Sequence, residues 1–140
     1  MNTLRKPVAC LLMAAAYSNV LAANWTPIEG NPLVQYDSSS LKTWKSEDDH
    51  LFIDSWVKAF DITETSVKYS ISNIVFKCGE RREFMLMQAV IYKGTGELIS
   101  NRTISSENLH WRSAVPETNS DVLSATLCRI AYNKHMRPQK

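Results

Sequence analysis

Two cysteine side chains carry the clearest chemistry of this 140-residue chain. Of its three cysteines, Cys10 lies in an apolar N-terminal stretch that is expected to be removed. Cys78 and Cys128 then form an even pair, and an even pair in an exported protein predicts a disulfide. The bond would close a loop of about 50 residues, for which the chain-entropy model gives about 4 kcal/mol of stabilisation. The alternative interpretation is a pair of free, buried thiols.

Other residue types that perform catalysis lack the spacing that catalysis requires. The histidines His50, His110 and His135 stand at no metal-ligand interval from a cysteine or a carboxylate. The acidic run 47–49 lacks the regular ligand spacing of a calcium loop and is interpreted as a solvated loop. Serines 38–40 belong to no nucleophile motif. We therefore expect no catalytic, cofactor-binding or metal-binding residues, and a protein that is not an enzyme.

Residues that favour binding are more plentiful. The sequence contains four tryptophans: Trp25, Trp44, Trp56 and Trp111. Trp111 is followed by Arg112, and tryptophan and arginine are the residues that most often anchor interfaces. A place in the core is the alternative for each tryptophan, and the commoner one in a small β-rich domain. Arg81-Arg82 and residues 134–140 form local basic patches, which either dock a partner or are simply solvated.

The N-terminus has the organisation of a secretory signal peptide. Two basic residues precede a short apolar core at residues 8–16, and Ala22 and Ala23 provide small residues for cleavage. This core is too short to span a bilayer of ~30 Å. It also continues past Cys10, whereas a lipid-acceptor cysteine would end it. We expect export to the periplasm or the cell surface, without a lipid anchor and without a membrane span in the mature form.

Cleavage at this point divides the chain into a leader, residues 1–23, and a single domain, residues 24–140. Removal of Arg5 and Lys6 lowers the count of Lys and Arg from 16 to 14, which equals the 14 Asp and Glu. A neutral domain has no concentrated basic footprint, so nucleic acid is not an expected partner. The sequence leaves the oligomeric state open.

The sequence of the domain predicts several strands followed by one helix. Short extended stretches at 25–29 and 33–37 precede a single helical turn at 38–44 and an extended segment at 51–60. Residues 67–78 alternate between apolar and polar, which predicts a strand.

Residues 83–93 are apolar on both faces, which predicts a central strand. A loop at Gly94-Thr95-Gly96 then turns the chain into a hairpin partner at 97–104, and such short links favour an antiparallel meander.

Helical periodicity begins after Pro116, with Thr118 as the expected N-cap and Asp121 completing a capping box. Cys128 lies about 140° from the apolar stripe of Leu123 and Ile130. The helix must therefore either turn Ala125, Cys128 and Tyr132 inward as well or tilt. Together these elements predict an α+β domain, a sheet with the helix packed on one face.

The ordered landmarks of the domain resemble the surface-adhesin protein E family of Gram-negative bacteria. In chain order they are Trp25-Thr-Pro-Ile28, Tyr36-Asp37-Ser-Ser-Ser40-Leu41, Tyr69-Ser70, Lys77-Cys78-Gly-Glu-Arg81, Tyr92, Gly94, Glu97, Trp111, Pro116-Glu-Thr118 and the helix with Cys128. The resemblance implies a curved antiparallel sheet of about five to six strands, a C-terminal helix packed on it, and a disulfide joining strand to helix. It also implies adhesion to host matrix or serum proteins.

Two functions are therefore expected from the sequence. The first is an exported, non-enzymatic binding protein that recognises a protein partner through a sheet face, a sheet edge or the basic tail. The second is a periplasmic domain that binds a small ligand or an envelope component. A closed apolar pocket lined by Trp56 and Tyr92 would favour the second.

Overall fold

The computed structural model describes residues 22–63 and 65–136. The leader predicted at residues 1–23 lies outside this range except for its last two positions, and so do the last four residues of the basic tail. The described residues form one antiparallel sheet and one long helix, which confirms the predicted α+β class. No helix among them combines the length and apolar character that crossing a bilayer needs.

Eight strands form the sheet, in the order β1-β2-β4-β5-β6-β7 with two short strands off this path. They are β1 (Trp25–Ile28), β2 (Asn31–Asp37), β3 (Lys42–Lys45), β4 (Leu51–Ile62), β5 (Val67–Cys78), β6 (Glu83–Lys93), β7 (Leu98–Thr103) and β8 (Arg112–Ser113), followed by helix α1 (Asn119–Met136). From β4 to β7 consecutive strands are sheet neighbours joined by short turns, which only antiparallel pairing allows. The strands predicted at 67–78 and 83–93 are confirmed with those bounds.

The helical turn predicted at residues 38–44 is wrong. Residues 38–40 form a turn, and β3 pairs with the start of β4, from Lys42 opposite Asp54 to Lys45 opposite Leu51. β2 occupies the same edge of β4 only at residues 57–59, so the remainder of that edge is free to pair. Pairing with a long neighbouring strand outweighs the weak local preference for a turn of helix.

The core lies between the sheet and α1. Fully buried side chains from β4 and β5, Ile53 and Phe76, face the fully buried Leu127 and Ala131 of the helix. On β4 the odd-numbered residues 51–57 are buried and the even-numbered ones are only partly buried, as the two-residue period of a strand requires. One face of the sheet is therefore covered by the helix, and the other is not.

A disulfide joins the end of β5 to the middle of α1, which confirms the predicted pair. Cys78 and Cys128 are bonded, and both are almost fully buried. The helix buries the residues 123, 124, 127, 128 and 131, so its inward stripe is rotated toward Cys128. Ala125 and Tyr132 remain exposed. This rotation brings the Cys128 sulfur to the sheet while Ala125 and Tyr132 stay on the solvent side of the helix.

The start of α1 differs in detail from a capping box. The Thr118 hydroxyl donates to the Val115 carbonyl at 2.6 Å, rather than accepting from a helix amide. The Asp121 carboxylate accepts from the Glu117 amide at 3.3 Å and forms an ion pair with Arg82 at 2.8 Å. The acidic residue therefore neutralises an arginine of the β5–β6 turn and also suits the positive end of the helix dipole.

The β6–β7 hairpin depends on glycine at one close approach. The Gly94 amide donates to the Val67 carbonyl at 2.7 Å. A Cβ at position 94 would lie 3.0 Å from the Cβ of Val67. Gly96 has a φ of +90°, which glycine adopts without strain. The loop predicted at 94–96 is thus confirmed, with a steric reason for its first glycine.

An aromatic face opposite the helix

Strand register places all four tryptophans on the sheet face that the helix does not cover. On β4 the buried odd-numbered residues face the helix, so Trp56 faces away from it. Trp44 stands opposite Phe52, which has the same parity as Trp56. Trp111 precedes Arg112, which is paired with the helix-side residue Phe84. We call this helix-free side of the sheet the aromatic face.

One end of the aromatic face carries a row of three rings. Trp44 stacks on Phe52 with ring centroids 5.4 Å apart and planes 11° apart. Phe52 also contacts Trp111, with centroids 5.8 Å apart. Trp44 and Trp111 are 41% and 37% exposed, whereas tryptophan side chains are on average largely buried. The row is rigid because each ring contacts the central one, yet it is open to solvent.

The other end carries a lysine surrounded by rings. The Lys58 ammonium lies 4.7 Å from the ring centroid of Tyr69, 4.9 Å from that of Phe60 and 5.8 Å from that of Trp25. Tyr69 in turn stacks on Tyr92 with centroids 5.0 Å apart. Such cation–π contacts hold a lysine in place at about 0.5–1 kcal/mol each when exposed. Lys58 forms no ion pair within the described part of the chain.

Between the two ends runs a strip of polar side chains around Trp56. Asn73 stands opposite Trp56 and donates to the Asp54 carboxylate. Gln88 donates to Asn101 at 3.2 Å. The face therefore combines apolar rings with hydrogen-bonding groups that are held by their neighbours, a composition typical of protein interfaces.

The histidines are scattered and do not form a site. His50 is exposed beside the acidic loop, His110 binds the Asn108 carbonyl and Arg112, and His135 lies 3.1 Å from the hydroxyl of Thr43. Among residues 22–63 and 65–136, no three His, Cys, Asp or Glu side chains gather as metal ligands would.

The charged segments are likewise separate from the aromatic face. In the acidic run, Asp49 pairs with Lys45 at 2.9 Å, and that bond lowers the pKa of its carboxyl. Of the basic pair, Arg81 is exposed and Arg82 binds Asp121. The described part of the basic tail, residues 134–136, is exposed at the end of α1.

Asp37 is the one buried carboxylate of the described chain, and it has a structural role. Burial raises the pKa of its carboxyl, but hydrogen bonds from Ser39, the Asn24 amide and Ser40 outweigh burial, so the pKa lies below the usual value. The Asn24 and Ser39 amides donate at 2.9 and 3.0 Å. The carboxylate therefore fixes the start of β1 against the turn after β2.

The main open depressions lie away from Trp56 and Tyr92. One of about 460 Å³ borders the disulfide, next to Arg82 and Tyr132. Two others, of about 790 and 390 Å³, lie near the β6–β7 hairpin and share Lys68 and Ile99. None of the three is enclosed, and neither Trp56 nor Tyr92 lines any of them.

The sequence singled out the four tryptophans but not the residues that organise them. Phe52, Lys58 and Phe60 share the even-numbered face of β4 with Trp56. Their alternation with the buried odd-numbered residues was the available signal. Comparison with known proteins gives no match to a family model, to a curated protein or to a solved structure.

Proposed function

We propose that this chain is an exported, non-enzymatic binding protein that recognises a protein partner through its aromatic face. The observation that carries the proposal is the placement of all four tryptophans on the face that α1 leaves uncovered. Burial of large rings normally stabilises the protein itself, so rings left at the surface favour burial against a partner. The landmarks that resemble protein E adhesins support the same class of function.

The kind of partner follows from the composition of the face. Tryptophan and tyrosine in rigid, partly exposed clusters are the residues whose truncation weakens protein complexes most. The polar strip between the clusters supplies hydrogen bonds, and Lys58 supplies one positive charge. We propose host matrix or serum proteins as the partners and the outer surface of a Gram-negative cell as the location. The disulfide is consistent with an oxidising compartment outside the cytoplasm.

The test measures binding of the purified domain to a panel of matrix and serum proteins by surface plasmon resonance. Trp44→Ala and Trp111→Ala should each lower the affinity for a captured partner by about five- to thirtyfold, as interface anchors of 1–2 kcal/mol do. The matched control is Tyr132→Ala, because Tyr132 is 45% exposed but lies on the helix, away from the aromatic face. This control should bind like the unmodified protein.

Two results would overturn the proposal. One is equal affinity of the tryptophan variants and the unmodified domain for every partner captured. The other is capture of no partner, combined with failure of a membrane-impermeant label to reach the protein on intact cells. The second result would favour the alternative, a periplasmic domain that binds a small ligand or an envelope component.

A further inference from the structure

Strand β7 leaves one of its two backbone edges unpaired. It is the last strand of the sheet path and pairs only with β6 in the part of the chain that the structure describes. All six of its residues are exposed. In an antiparallel strand about half of the backbone N–H and C=O groups point toward each side, so about half of those of β7 face solvent. The strand contains no proline or lysine, and Arg102 and one register shift against β6 are the features that would discourage pairing at this edge.

An apolar surface adjoins this edge because α1 does not extend over it. The helix packs on β1, β4 and β5. Beyond it on the same sheet face, Ile91 and Ile99 are 37% and 45% exposed. They border the two open depressions near the β6–β7 hairpin. A strand added next to β7 would direct alternate side chains onto this surface.

The charges around the surface favour an acidic occupant. Lys68 stands opposite Lys93 in the sheet, and like charges in this position repel. Lys93 binds Glu97 at 2.8 Å, whereas Lys68 and Arg102 form no ion pair among the described residues. Asp61 stands opposite Lys68 on the other side but not within ion-pair distance. Positive charge is thus left unneutralised beside the apolar surface.

We propose that β7 binds an extended segment of a partner protein as an additional strand of the sheet. The backbone of the segment pairs with Leu98–Thr103, an apolar side chain contacts Ile91 and Ile99, and an acidic side chain approaches Lys68 or Arg102. Backbone pairing supplies the affinity, and the apolar and acidic side chains supply the selectivity. This site lies on the opposite side of the sheet from the aromatic face and does not depend on the function proposed for that face.

The test measures binding of a dye-labelled synthetic peptide to the purified domain by fluorescence anisotropy. The probe is a ten-residue peptide that alternates valine with threonine and carries two central glutamates. Ile99→Lys replaces the apolar contact at the edge with a charge and should weaken binding at least tenfold, because loss of that contact outweighs the roughly threefold gain from one added charge pair with the glutamates. Val115→Lys is the matched control, since Val115 is 60% exposed but lies outside the strand, and it should leave binding unchanged. Arg102→Glu should weaken binding of this probe by about threefold, the effect expected of one exposed charge pair.

Backbone pairing is tested with a second probe of the same sequence that is N-methylated at its central residues. This probe should not bind, because N-methylation removes the amide donors that β7 would use. Equal binding of the two probes overturns the proposal, as does an unchanged affinity of Ile99→Lys or no binding at millimolar concentration. Urea unfolding of both lysine variants confirms that they fold. Sedimentation that shows self-association lost in Ile99→Lys, with no peptide binding, would assign the edge to a second copy of this chain instead.

Discussion

Removal of the disulfide should destabilise the domain by about 3–4 kcal/mol. The bond joins residues 50 positions apart, Cys78 and Cys128, and the entropy of closing a loop of that size in the unfolded chain is worth about 4 kcal/mol. Total stabilities of small domains are about 5–15 kcal/mol, so the loss is a large fraction of what holds the fold together. Apart from the backbone, the bond is the only covalent link between α1 and the sheet among the described residues.

The assay is urea unfolding followed by tryptophan fluorescence. With a denaturant slope of about 1.5 kcal/mol per molar urea, a loss of about 3–4 kcal/mol lowers the unfolding midpoint by about 2–2.7 M. The comparison pairs the oxidised protein with protein that was reduced in denaturant and refolded in dithiothreitol, because both sulfurs are buried and slow to react in the native state. The double variant Cys78→Ala/Cys128→Ala should unfold at or slightly below the midpoint of the reduced protein.

The double variant also provides the control, since dithiothreitol should not shift its midpoint. A shift of less than about 0.5 M between oxidised and reduced protein would refute the loop-entropy reasoning. Alkylation of both thiols in folded protein isolated from its own cells without any reductant would show that the bond does not form there.

Three further predictions use the same unfolding assay. Gly94→Ala should destabilise by about 1–3 kcal/mol, because the new Cβ would lie 3.0 Å from the Cβ of Val67. Gly79→Ala is its control, as the nearest atom there is 4.0 Å away. Ser124→Ala should be neutral or stabilising, since the Ser124 hydroxyl is fully buried and has no hydrogen-bond partner in the described structure. In the folded protein the pKa of Asp37 lies below its ordinary value of 3.8. The ionised carboxylate therefore stabilises the fold above pH 3.8, and this stabilisation is lost as the pH falls through the folded pKa. Asp37→Asn should therefore be less stable near pH 7 and should lose less stability on acidification than the unmodified protein.

The sequence predicted the strands whose pattern is strong and local. Residues 67–78 alternate and residues 83–93 are apolar on both faces, and both strands have the predicted bounds. The short strand β3 was missed because its four residues form a strand only by pairing with β4. Nothing within residues 42–45 reveals that the edge of β4 beyond β2 is free. The intrinsic conformational preference of such a short segment determines its structure only when no neighbouring strand is available for pairing.

The aromatic face could be predicted only in part. The composition singles out the four tryptophans, but which sheet face each one occupies depends on the register of strands distant in sequence. Trp111 and Phe52 are 59 positions apart, and their contact follows from the pairing of β4 with β5, of β5 with β6 and of β6 with β8. The rotation of α1 toward Cys128 could not be predicted from the sequence either, because the disulfide and the packing of the helix on the sheet determine it together.

Because buried and outward-facing residues alternate along β4, this one strand contributes to both the core and the aromatic face. Ile53, fully buried beneath the helix, is the immediate neighbour of Phe52, whose ring stacks on Trp44 and also contacts Trp111. A bulkier or smaller residue at 53 would displace the backbone that both share, and so would alter the spacing of the outer rings. Under the function proposed for the aromatic face, the choice of partner is therefore constrained by a buried side chain that no partner contacts.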